Sequence, residues 1–181
     1  VTTTSNATRG ILGGGYTGSA GVNTIEYITI ASAGDVTDFG DLTTQRGYVG
    51  ASSSTTRSVF AGGYHTGNLD TIDYVTISST GNATDFGDLT AAKWNPMSAS
   101  SNTRALFGGG GTSSSDTVNV IEYITIASTG NGTDFGDLRQ STQSASAVSD
   151  KTTALFHSVA DGDPGTTVDK VTIASTGNAT G

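Results

Sequence analysis

The hexapeptide TDFGDL stands at 37–42, again at 84–89 and again at 133–138. The two intervals are 47 and 49 residues. Other segments keep the same period. TIEYITIAS, TIDYVTISS, VIEYITIAS and TVDKVTIAS form one series, and TRGILGGG, TRSVFAGG, TRALFGGG and TTALFHSV another. Self-similarity at this period means one supersecondary unit, repeated, with each copy burying its apolar surface against the next. The chain reads as a single repeat array over 1–181, in units of approximately 9–56, 57–103, 104–150 and 151–181, the last incomplete.

Each unit reads as four short strands. In the second unit they fall at 48–54, 57–63, 71–78 and 84–90, bounded by clusters of Gly, Ser, Asn and Thr. The third strand is apolar on both faces, with Ile72 and Tyr74 on one side and Val75 and Ile77 on the other. Such a strand belongs in a sheet covered by two others. Gly is abundant at 26 and Pro scarce at 2, and no window keeps a 3.6-residue apolar period, so no helix is expected. Four antiparallel strands in a unit of about 40–50 residues point to an all-β propeller. A β-solenoid is the rival, but its coils are usually shorter.

The order of features in each unit resembles the kelch repeat. VFAGG, TIDYVTI, TDFGDL and Lys93 stand in the matching places. The wording STGNATDFGDLT further resembles kelch-like repeats in virion structural proteins of tailed phages, notably marine cyanophages. Phe39, Phe86 and Phe135 depart from it, standing where kelch repeats usually carry Trp, as does FHSV at 156–159, where the other units have a Gly pair. The resemblance implies a non-enzymatic structural and binding module of a virion, in a tail fibre, appendage or surface protein. Its partners would be other virion subunits or a host-surface glycan or protein, and its location the virion surface or the extracellular space. A secreted carbohydrate-binding lectin or adhesin is the alternative, and a propeller enzyme the third.

Within that frame the recurrent residues have structural duties. Phe39, Phe86 and Phe135 are expected as plugs between blades, each burying roughly 2–3 kcal/mol of apolar surface. The Gly that follows each permits a bulge or a close backbone approach. Asp38, Asp85 and Asp134 are expected to accept hydrogen bonds from turn amides. Arg9, Arg57 and Arg104 open the second strands, and Arg57 is expected beside Asp38 or Asp85 on one rim. On the other rim, Glu26, Asp73, Glu122 and Asp169 should meet Arg46 and Lys93 in exposed pairs contributing at most about 1 kcal/mol each.

Successive turns of a meander alternate between the faces of the disc. The loops joining strands 1–2 and 3–4 barely change from unit to unit. The loops joining strands 2–3 and 4–1 hold the diversity, and they share the opposite face. Recognition is commonly built on variable loops of a rigid scaffold. Tyr16, Tyr64, His65 and Trp94 are the aromatic side chains placed to stack on a ligand such as a sugar. The competing reading is drift, or packing against another subunit.

Other chemistry finds little support. The net charge is −8 with 8 Lys and Arg in all, which speaks against nucleic acid. No apolar run approaches a membrane span. Without Cys there is no disulfide or thiolate site. His65 and His157 occupy different places in the repeat, so they form no metal or catalytic pair. DGDPG at 161–165 is rich in oxygen but lacks the spaced acids of a calcium loop. LGGGY and FGGGG lack the G-K-[ST] of a phosphate loop. Asn82, Asn131 and Asn178 head N-x-T triplets at one repeat position, where a turn favours Gly-Asn. No catalytic residue, metal or cofactor is assigned. Val1 in place of Met points to a processed product or a piece of a longer chain. The array is then a fragment, a ring completed by a second copy, or an unusually small propeller, of which the first is preferred.

Overall fold

The computed structural model describes residues 1–32, 34–113, 116–143, 146–158 and 167–181. It contains four separate antiparallel sheets arranged as the blades of a β-propeller, not a stacked coil. Blade 1 comprises β1 (Thr2–Ser5), β2 (Arg9–Tyr16), β3 (Gly21–Thr29) and β4 (Thr37–Asp41). Blade 2 comprises β5 (Gly50–Ser53), β6 (Arg57–Ala61), β7 (Thr71–Thr76) and β8 (Thr84–Asp88). Blade 3 comprises β9 (Met97–Ser100), β10 (Arg104–Gly108), β11 (Val120–Thr125) and β12 (Thr133–Asp137). Blade 4 comprises β13 (Ser146–Ser149), β14 (Thr153–Ser158) and β15 (Thr167–Thr172), with a single bridge from Lys170 to Thr180 where a fourth strand begins in the others. Every blade is a plain meander, and no helix is present among the described residues.

The core lies between blades. Phe39 is buried with Ile11 and Ile25 of its own blade and with Phe60, Val75 and Ile77 of the next. Phe86 and Phe135 lie in the corresponding clusters between blades 2 and 3 and between blades 3 and 4. Among the described residues no such cluster joins blade 4 to blade 1. Leu155 and Val168 are 37% and 42% exposed, at positions equivalent to the fully buried Val59 and Ile72.

The glycine of TDFGDL is explained by the neighbouring blade. The ladder between the third and fourth strands bulges at Ile25/Glu26, Ile72/Asp73 and Ile121/Glu122. At the bulge Gly40 has φ +146°, and a Cβ there would lie 2.5 Å from the backbone of Gly81. The Gly-Asn turn of the next blade runs along this edge. Gly81 N–H donates to Phe39 O at 2.7 Å, and Asn82 Oδ1 accepts from Asp41 N–H at 3.1 Å. Asn131 and Asn178 accept likewise from Asp88 and Asp137.

Two expectations about charge are corrected. Arg57 does not reach Asp38 or Asp85. Its strand register sets it diagonally across from Tyr74 on the same face, so its guanidinium stacks 4.4 Å from that ring and Nη1 donates to Ile126 O in blade 3. Arg9 on Tyr27 and Arg104 on Tyr123 repeat the arrangement. The carboxylates of Asp38, Asp85 and Asp134 are exposed and accept no hydrogen bond among the described residues. On the other rim three of the four acids meet basic residues, each with its carboxylate buried instead of at the surface, while Glu26 forms no ion pair among the described residues. Asp73 pairs with Arg46 at 2.8 Å, Glu122 with Lys93, and Asp169 with Arg139. Arg46, Lys93 and the three acids are essentially inaccessible. In the third pair Arg139, directly after Leu138, supplies the cation, and Thr142 holds the place equivalent to Arg46 and Lys93.

Candidate binding site

Loops from different blades are tied together on the variable face. The Gly62–Gly63 pair ends β6 with φ of 65° and 111°, values that favour glycine, and turns the chain toward the preceding blade. Gly47 and Tyr64 then exchange backbone hydrogen bonds of 3.0 and 2.9 Å. Trp94 and Gly111 exchange a matching pair, both 2.9 Å. Asn95 N–H donates to Tyr48 O at 2.7 Å, joining the two crossings. These bonds hold variable residues on a fixed frame.

The frame gathers aromatic rings. Tyr48, Tyr64 and Trp94 line one cleft of about 570 Å³ with Asn68, Thr112 and Ser113. Tyr48 meets Trp94 edge to face at 5.6 Å, and Tyr16 meets Tyr48 at 5.8 Å on its other side. Tyr16, Tyr48 and Tyr64 are 42%, 49% and 37% exposed, well above a packed ring. Tyr48 and Tyr16 also border a second cavity of about 530 Å³. That cavity lies among the innermost strands of all four blades, with Thr2, Thr3, Ser98 and Ser146 in its wall.

Of the aromatic residues expected from sequence, Tyr64 and Trp94 share the cleft, and Tyr16 joins the row through Tyr48. His65 does not line it. It is half-buried, with Nε2 3.2 Å from Gln45 Nε2. Tyr48 was hidden in the sequence because it reads as the first residue of a strand. It has φ 56°, the left-handed region, and Asn95 at the equivalent place has φ 55°. Asn enters that region readily, whereas a bulky ring there is an outlier that often marks function.

No charged side chain lines the cleft or the central cavity among the described residues. The nearest buried cations are spoken for. Burial pushes the Arg46 guanidinium below its ordinary range, and Asp73 opposes that shift. Among the described residues no group of acids and histidines is arranged to hold a metal. DGDPG and FHSV fall wholly or partly outside the described residues. No protein-family model matches this chain, and no curated protein matches it.

Proposed function

We propose that this propeller is a non-enzymatic recognition module that docks its partner through the variable loop face. One observation carries the reading: Tyr48, Tyr64 and Trp94, drawn from separate loops, line a single cleft on loops tied by paired backbone hydrogen bonds. Partly exposed aromatic rings on a rigid frame give large contact area with little ordering cost, which is what binding surfaces select for. The lining offers stacking, amide and hydroxyl chemistry suited to binding. The kelch-like wording of the repeats supports a virion setting, in a tail fibre, appendage or surface protein, with a host-surface glycan or protein or another virion subunit as partner. A free lectin or adhesin would use the same cleft in the same way.

Binding to glycan arrays and to intact cells tests the reading. Trp94→Ala and Tyr64→Ala should abolish capture while leaving the melting temperature nearly unchanged. Thr80→Ala, on the opposite face, should be silent. Capture that survives both aromatic substitutions overturns the assignment of this face.

A further inference from the structure

We propose that the cleft and the central cavity are two adjoining subsites for one neutral oligosaccharide, joined at Tyr48. The inference deepens the reading of the loop face as a recognition surface and rests on it. Tyr48 borders both spaces, of about 570 and 530 Å³. Its two ring neighbours divide between them, Trp94 lining the cleft and Tyr16 the central cavity. A ligand with a single ring fills one space. A ligand of two or more linked rings runs past Tyr48 from one to the other.

The walls select the chemistry of that ligand. A pyranose has an apolar face of C–H groups and an edge of hydroxyls. The first buries on aromatic rings, as Trp94, Tyr64 and Tyr16 provide. The second needs neutral donors and acceptors. Thr112 and Asn68 offer them at the cleft, and Thr2, Thr3 and Ser146 in the cavity.

Charge narrows the class further. A uronate, sialate or sulfate is held by cationic side chains in charge-assisted bonds. Neither space has one among the described residues, and the chain carries a net charge of −8, which repels anions at a distance. The fit is therefore to uncharged sugars.

Calorimetric titration with a methyl hexopyranoside, a neutral disaccharide and a neutral tetrasaccharide tests the proposal, with uronate-containing counterparts alongside. Affinity should rise about tenfold or more from monosaccharide to disaccharide as the second subsite fills. Tyr64→Ala should weaken all three sugars. Tyr16→Ala should weaken the longer sugars by a larger factor than the monosaccharide. Equal affinity for the uronate series overturns the proposal, as does a tetrasaccharide indifferent to Tyr16→Ala, or a cleft that takes an extended proline-rich peptide and no sugar. If no sugar binds yet Trp94→Ala still abolishes capture on cells, the subsite proposal falls and the recognition face stands. If capture also survives Trp94→Ala, both fall.

Discussion

Arg46 Nη2 and Asp73 Oδ2 lie 2.8 Å apart in full burial, and the chain crosses from blade 1 to blade 2 between them. The carboxylate also accepts from Thr43 N–H at 3.0 Å and Thr43 Oγ1 at 2.7 Å, and Arg46 donates to Thr71 O at 2.8 Å. The pair thus locks the end of one blade to the third strand of the next. A buried charge left without its partner is the costly outcome. Asp73→Ala should destabilise by roughly 3–5 kcal/mol, and the joint replacement Arg46→Met with Asp73→Leu by clearly less. Urea unfolding of the single and the double variant checks this. A double variant no more stable than Asp73→Ala would contradict it.

Gly87 and Gly130 separate two reasons for a glycine. Gly87 has φ +142°, and a Cβ there would lie 2.6 Å from the Gly130 backbone. Gly130 has φ +156° and open space around it. Gly130→Ala meets backbone strain alone, about 1 kcal/mol. Gly87→Ala meets strain and an immovable neighbour, so its cost should exceed that, at about 2 kcal/mol or more. Thermal unfolding of the two variants ranks them. Equal losses would mean that the blades do not press together at this edge.

These two cases show what the sequence made legible and what it withheld. The strands of the second unit, their meander and the blade-to-blade position of Phe86 follow from alternation and turn residues within one unit. The partners of Arg57 do not, because they depend on register. A shift of one residue would turn the guanidinium away from Tyr74. The burial of Asp73 was withheld for a related reason. It depends on how one blade meets the next, and its partners Arg46 and Thr43 lie 27 and 30 residues away in the preceding unit. Asn82 reads as a turn residue, yet its side chain serves the backbone of Asp41 in the preceding blade. In the candidate site, Tyr64 and Trp94 were legible as aromatic rings in variable loops. Tyr48 was not, since its left-handed backbone is invisible to a reading by strand propensity.

The turn between β13 and β14 carries a local acid. Asp150 Oδ1 accepts from Thr153 N–H at 2.7 Å, from Thr152 Oγ1 at 2.7 Å and from Thr152 N–H at 2.8 Å. These bonds, the one from Thr153 N–H foremost, lower its pKa from 3.8 to about 2. A carboxylate with a depressed folded pKa adds stability that is fully present above its unfolded value and is lost as pH falls through the folded one. Asp150 should therefore stay ionised in the folded turn down to about pH 2, while its contribution to stability shrinks steadily as pH falls from 3.8 toward that value. The amide shift of Thr153, followed by NMR, should titrate with a midpoint near the lower value. A midpoint at the ordinary carboxylate pKa would show that the bonds do not persist in solution.

Tyr48 sets stability against binding. Its backbone occupies a region that a bulky side chain enters only under strain, while Asn95 fills the equivalent place at little cost. Tyr48→Asn relieves that strain and removes the contacts of a ring that is half-exposed to water. The two effects oppose each other, and each is about 1 kcal/mol. The melting temperature should consequently stay within a few degrees of the parent or rise slightly. Ligand capture should fall with it, since the ring is shared by the cleft and the central cavity. Both quantities are read from the same preparation, by thermal unfolding and by titration with the captured ligand. A variant that loses stability and keeps its affinity would assign Tyr48 to the scaffold and not to the site.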